Sequence, residues 1–282
     1  MIRFGLAGNS DSFYEQGLKH TWQAAAWLRK MGLNAFEYPF GRGVTLKEDA
    51  AQKIAGEMRG NGIAVSAHAP YFINLANPDP EKHEASINYI LQSAHMLSLL
   101  GGEQLVVHVG ARMKLEREEA VDRCIRGMKE ACERLEDEGL GHIRLCPETM
   151  GRPAQIGDLD EICRICEENE KLIPCIDFAH LHALSGGSLR EQKDFEKVLD
   201  TLESRLGTER ARGIHVHFSA IEYTASGEKR HRTFAETEYG PHFDQLAPLL
   251  VQRRYEPFVI CERHGTMAED ALEMKMTLEK QS

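Results

Sequence analysis

The sequence predicts a single-domain (β/α)8 barrel, a TIM barrel, spanning residues 1–282. Strand and helix patterns alternate eight times, one unit per about 35 residues, with no shift in composition that would mark a linker. The strand candidates are short, apolar and partly β-branched, as in Leu172-Ile173-Pro174-Cys175-Ile176, a pattern suited to parallel strands covered on both faces. Six successive strands, the third to the eighth, end in a residue able to bind a metal. These are His68, His108, Glu148, Asp177, His215 and Glu262. Parallel α/β folds build their sites at the C-terminal ends of strands, and six consecutive strand ends converge only around a closed ring.

Arg3-Phe4-Gly5-Leu6-Ala7 reads as the first strand, and residues 21–31 as a helix that packs through Trp22, Ala25, Ala26 and Leu28. The second strand covers 33–37 and its helix 47–59, stopped by Gly60-Asn61-Gly62. The third strand ends at His68, and a loop through Pro78 leads to a long helix over 80–100, terminated by Gly101-Gly102. Later helices are expected at 116–138, 159–168, 189–206 and 242–252, with a last one from Ala268. Gly213-Ile214 leads the seventh strand into His215, and a long loop runs from Ser219 to Tyr239.

A chain with 42% hydrophobic residues can bury a large core, and 282 residues suit one α/β barrel as well as two average domains. No apolar run approaches the roughly 18 residues of a membrane span, and nothing resembles a signal peptide. A soluble, cytoplasmic monomer with no membrane contact is expected. Seven cysteines, an odd number set mostly in apolar or helical stretches, indicate reduced thiols. Cys163-Arg164-Ile165-Cys166 has metal-ligand spacing but lies in an expected helix with no second pair. The net charge of −10 argues against a broad basic surface for nucleic acid but leaves room for a local one.

Histidine nitrogen and carboxylate oxygen suit Zn²⁺, and also Mn²⁺ or Fe²⁺. Six such groups exceed the needs of one tetrahedral ion, whereas a bridging carboxylate serves two ions that together assist hydrolysis. The residues alone indicate metal-assisted hydrolysis and no particular substrate.

The run His68-Ala69-Pro70-Tyr71-Phe72-Ile73-Asn74-Leu75 resembles the endonuclease IV family of apurinic/apyrimidinic endonucleases, which carry His-x-x-Tyr-x-Ile-Asn-Leu there. The likeness continues in order through His108-Val109-Gly110, Glu148-Thr149-Met150-Gly151, Ile176-Asp177-Phe178-Ala179-His180, His215 and Glu262. It implies that His68 and His108 bind a first zinc, that Glu148 bridges, and that Asp177, His215 and Glu262 hold a second. His180 and His231 would serve a third. The implied partner is damaged double-stranded DNA, hydrolysed 5′ to an abasic site to leave a 3′-hydroxyl, with Tyr71 and Arg42 reaching into the gap.

Two departures stand out. Val109 replaces a proline, and the third-metal loop reads Lys229-Arg230-His231 where the family has Asp-Arg-His. A lysine ammonium has no acceptor, so two metals are expected and a third is doubtful. Glu228 is a candidate substitute ligand, and Lys229 a candidate catalytic cation on the leaving oxygen. His182, His217 and His264 are expected to play supporting or loop roles. Cys146 and Cys175 are expected to be small core residues. Arg112, Lys114, Arg152, Arg230, Arg232 and Arg263 fall on the expected rim. Two other functions compete. A sugar isomerase or epimerase would use one divalent ion on Glu148, Asp177, His215 and Glu262, and a damage-binding protein would hold metals without turnover.

Overall fold

The computed structural model describes residues 1–263 and 265–281. Its strands are β1 (Arg3–Ala7), β2 (Ala35–Pro39), β3 (Ala64–His68), β4 (Gln104–Val107), β5 (Arg144–Pro147), β6 (Cys175–Asp177), β7 (His215–His217), β8 (Ala220–Thr224), β9 (Gly227–Arg232) and β10 (Phe258–Cys261). Eight of them form one parallel sheet in the order β5-β4-β3-β2-β1-β10-β7-β6. A parallel bridge between Glu148 and Cys175 joins the two ends of that order, so the ring closes beside Glu148. The barrel expected from the alternation is the barrel observed.

Helices form its outer layer, and local chemistry sets their ends. The helix Pro80–Leu100 begins where the Asp79 carboxylate accepts the Glu81 N–H at 3.0 Å, and Pro80 supplies a first-turn residue that needs no donor. It ends at Gly101, whose φ of 77° gives the left-handed C-terminal turn. Apolar faces such as Ala120, Cys124, Met128, Ala131 and Leu135 of the helix Arg117–Asp137 bury against the barrel.

Two of the segments that differ from the sequence expectation bear on the site. A seven-residue helix, Phe178–Leu184, starts directly after β6, because Asp177 Oδ1 accepts the His180 N–H at 2.8 Å. The same carboxylate therefore caps a helix and faces the barrel mouth. The expected loop from Ser219 to Tyr239 contains the antiparallel hairpin β8–β9, in which Gly227 turns at a φ of 91°. Its tip packs over the loop after β5, where Glu228 N donates to Gly151 O at 2.9 Å.

Candidate metal centre at the barrel mouth

Strand ends deliver the donors. His68 ends β3, His108 follows β4, Glu148 follows β5, Asp177 ends β6, His217 ends β7 and Glu262 follows β10. His180 comes from the short helix after β6, and His231 from β9. Their ligand atoms gather into three groups, each with all members within 4.8 Å of one another. The first is His68, His108 and Glu148, the second Glu148, Asp177, His217 and Glu262, and the third Asp177, His180 and His231. Glu148 belongs to the first two and Asp177 to the last two, so each carboxylate stands where it could bridge.

Glu148 is fully buried, with Oε2 at 3.1 Å from His68 Nε2 and 2.9 Å from His108 Nε2. Its Oε1 lies 2.9 Å from His217 Nδ1, which is also 2.8 Å from Glu262 Oε2. Burial opposes ionisation of Glu148, yet His217 and His108 beside it hold its carboxyl well below the usual carboxylate range. For Asp177 burial prevails over His180 and His231 and pushes the carboxyl up. A divalent cation among these groups would favour the charged carboxylates and neutral imidazoles together.

The imidazoles are oriented from behind. His68 Nδ1 lies 2.7 Å from the Ala69 carbonyl and His180 Nδ1 2.8 Å from the Thr149 carbonyl, so each donates there and turns Nε2 toward the cluster. His231 Nδ1 is 2.7 Å from Ser219 Oγ. Buried, converging and tautomer-fixed nitrogens with shared carboxylates fit divalent metal ions, and the donor set suits ions of the zinc type.

Two expectations differ from the geometry. The seventh strand runs two residues further than its apolar run suggests, so His217, and not His215, joins Glu148, Asp177 and Glu262. His215 points into the barrel one pleat below, with Nε2 3.0 Å from Glu37 Oε2 and Nδ1 2.8 Å from Gln104 Oε1. Lys229 is exposed and paired with Glu222 on the outer side of the hairpin, away from the ligands. Glu228 faces inward in its place, with Oε2 3.7 Å from His180 Nε2 and Oε1 4.0 Å from His231 Nε2. The anionic partner of the third group is thus supplied one residue earlier than the Asp-Arg-His pattern leads one to expect. His264 lies outside the described residues.

Around the cluster, Tyr71 and Phe72 stand exposed on the rim, and Arg42 Nε donates to Tyr71 Oη at 3.2 Å. A cleft of about 750 Å³ opens beside Glu262 and His231 and is lined by Arg230, Arg232 and Arg263. Arg232 is held by Glu222 and Glu236, and Arg263 by Asp270 at 2.8 Å. Cys163 and Cys166 are buried in the core, where burial pushes both thiols up, so they remain protonated packing residues. Across the β3–β4 side, Asn74 Oδ1 accepts the N–H groups of Ala76 and Ala111 at 3.1 Å each. A Cβ on Gly110 would meet Asn74 Oδ1 at 2.3 Å. The Ile-Asn-Leu and His-x-Gly motifs therefore hold one another in place and with them His68 and His108.

The family model described as "Xylose isomerase-like TIM barrel" matches residues 25–278. The chain belongs to that family. It is 37% identical to an uncharacterised protein of Methanocaldococcus jannaschii over 262 residues, 93% of this chain and 92% of the other. It is 30% identical to a probable endonuclease 4 of Oceanobacillus iheyensis over 179 residues, and this match spans 61% of the chain and 58% of the relative. Among solved structures it is similar to endonuclease IV from Thermus thermophilus, with a TM-score of 0.71 at 20% identity over 99% of both chains. A D-tagatose 3-epimerase-like protein is similar at a TM-score of 0.75 and 17% identity, over 99% of this chain and 97% of that one. The endonuclease IV resemblance read from the motifs thus has sequence relatives behind it, and the barrel itself is shared with epimerases. No helix among the described residues is long and apolar enough to cross a membrane.

Proposed function

We propose that this protein is a metal-dependent phosphodiesterase that cleaves double-stranded DNA at abasic sites, with zinc as the metal. The observation that carries the reading is the sharing of Glu148 between His68 and His108 on one side and Asp177, His217 and Glu262 on the other. Four donors would suffice for a single ion of the sugar-isomerase type. His68, His108, His180, His231 and Glu228 would then be a second set of buried or half-buried polar groups with no task, at a cost in desolvation.

Bound ions would supply an activated water and a clamp on the phosphate oxygens. The chain's own residues do the rest. Glu148 holds the two main ligand groups in one register, and Asp177 ties the second to the third. Arg230, beside the cleft, is placed to meet a phosphate, while Tyr71 and Arg42 form a linked pair at the rim suited to occupying the space left by a missing base. Lys229 takes no part. Such a site acts locally on DNA despite the overall acidic charge, because bound ions offset the carboxylates at the mouth.

The test is to incubate the zinc-loaded protein with a duplex carrying one abasic analogue and to examine the ends. Cleavage on the 5′ side leaving a 3′-hydroxyl is expected, and the same duplex without the lesion should stay intact. The group Glu148, Asp177, His217 and Glu262 is complete for one ion and favours a second reading, epimerisation of a ketose. Sugar interconversion by a protein inert on abasic DNA would replace the first reading with that one, and tight lesion binding without cleavage would indicate a damage-binding role.

A further inference from the structure

Beneath the metal ligands the barrel interior carries a polar layer where such barrels ordinarily pack branched apolar side chains. Glu37 of β2 is its centre and is fully buried. Its Oε2 accepts a hydrogen bond from Ser66 Oγ of β3 at 2.9 Å and lies 3.0 Å from His215 Nε2. Its Oε1 lies 3.0 Å from His217 Nε2. His215 and His217 are likewise fully buried. A carboxylate in such a place is costly unless donors surround it, and these three are the donors within reach.

We infer that Glu37 is a positioning residue for the metal centre, holding His217 in the Nε2–H tautomer so that Nδ1 presents its lone pair between Glu148 and Glu262. An imidazole with one N–H donated to a carboxylate has its other nitrogen free and made more basic, the arrangement that fixes and strengthens metal-binding histidines. His215 is the counterweight. Its Nε2 lies 3.0 Å from the second oxygen of Glu37, and its Nδ1 lies 2.8 Å from Gln104 Oε1. Ser66 donates to the carboxylate, and the two imidazoles 3.0 Å from its oxygens favour its charged form, so it can stay ionised without an ion of its own. Strand geometry makes this possible. His215 and His217 are two apart on β7 and share its inner face, while Glu37 and Ser66 are register partners on β2 and β3.

The inference rests on the reading of the mouth cluster as a metal centre, and its test does not involve DNA. Cobalt(II) is titrated into metal-free protein, with the visible absorption band recorded and affinities obtained by chelator competition. Glu37→Gln keeps the size of the side chain and removes the charge. It should weaken the site that contains His217 by roughly tenfold to a hundredfold and alter the cobalt band, with the circular dichroism of the metal-free protein unchanged. Ser66→Ala, which removes one donor to Glu37, serves if the first variant does not fold. It should weaken the same site by about threefold to tenfold. Affinities within twofold of the unmodified protein in both variants would overturn the inference. So would an additional interior ion lost in Cys175→Ser, because Cys175 groups with His215 and His217 and the layer would then be a binding site instead of a support. Inert DNA in the cleavage assay counts against the nuclease reading and leaves the cobalt result standing. Failure of the unmodified protein to bind cobalt defeats the metal centre and this inference together.

Discussion

At the scale of single residues, position along a strand decides chemistry. His215 and His217 are two residues apart and both lie inside the barrel, yet one meets Glu37 and Gln104 and the other reaches Glu148 and Glu262. The apolar run ending at Ile214 does not say which of them tops the strand, because a histidine inside a barrel has no hydropathy signature. The other strand-end donors that gather at the mouth are legible because each immediately follows its apolar run. Glu37 is not, since one carboxylate closing an apolar stretch looks like a strand terminus. Lys229 misled because sequence order does not show which face of a hairpin a residue takes. Lys229→Ala should accordingly leave cleavage within about twofold, the usual scale for a surface substitution away from a site. Glu148→Gln should abolish turnover with the fold intact, since an amide cannot act as an anionic bridge. Proton linkage gives a further check. Burial opposes protonation of His68, but its bond to Glu148 and the charge of Glu262 raise it to about 9 in the metal-free protein. Burial likewise opposes protonation of His180, and Asp177 with Glu148 raises it to about 9. Both are protonated at pH 7, so metal entry must displace protons. Affinity should rise roughly tenfold per pH unit for each displaced proton and level off above about 9, as read by calorimetry in buffers of different ionisation enthalpy.

At the scale of elements, the hairpin β8–β9 closes over the end of β6 and the short helix after it, and the third group, Asp177, His180 and His231, forms between them. Strand pairing inside the expected loop from Ser219 to Tyr239 is not legible in the sequence, because β9 reads Gly-Glu-Lys-Arg-His-Arg with little apolar content. Tertiary contacts stabilise it: β8 carries buried Ala220 and Ile221, and the tip rests on Gly151. Gly151 is tightly enclosed, since an added Cβ would meet Glu228 Cβ at 2.8 Å and His180 Cδ2 at 3.0 Å. Gly151→Ala should therefore push Glu228 and His180 apart. The expected result is loss of one bound ion per chain, measured by elemental analysis after dialysis, with the other two retained. Glu228→Gln should give the same stoichiometry without the steric cause. Retention of all ions in both variants would show that Glu228 is not a ligand.

At the scale of the whole molecule, the ring of strands is readable because eight short apolar runs alternate with helical ones, and only closure brings the candidate donors from β3 to β10 to one mouth. The same closure concentrates Glu148, Asp177, Glu262 and Glu228 above the buried Glu37 in a chain whose net charge is already −10. In the metal-free protein, protonated histidines such as His68 and His180 offset that charge, and they lose this role as the pH rises through about 9. Ions that bind the folded barrel and not the unfolded chain stabilise it by mass action, about 2.7 kcal/mol for one site at a hundred times its dissociation constant. In a domain of this size 1 kcal/mol corresponds to roughly 2–4 °C, so one such site should raise the melting temperature by about 5–10 °C. Chelation should reverse the gain, and the gap between metal-loaded and metal-free protein should widen from pH 7 to pH 9. Two causes act in the same direction there: metal affinity increases, and the protons that compensate the carboxylates in the metal-free form are lost. Calorimetric scans with and without chelator at both pH values measure the gap directly, and a melting temperature indifferent to chelation would mean that these carboxylates and imidazoles compensate one another without ions.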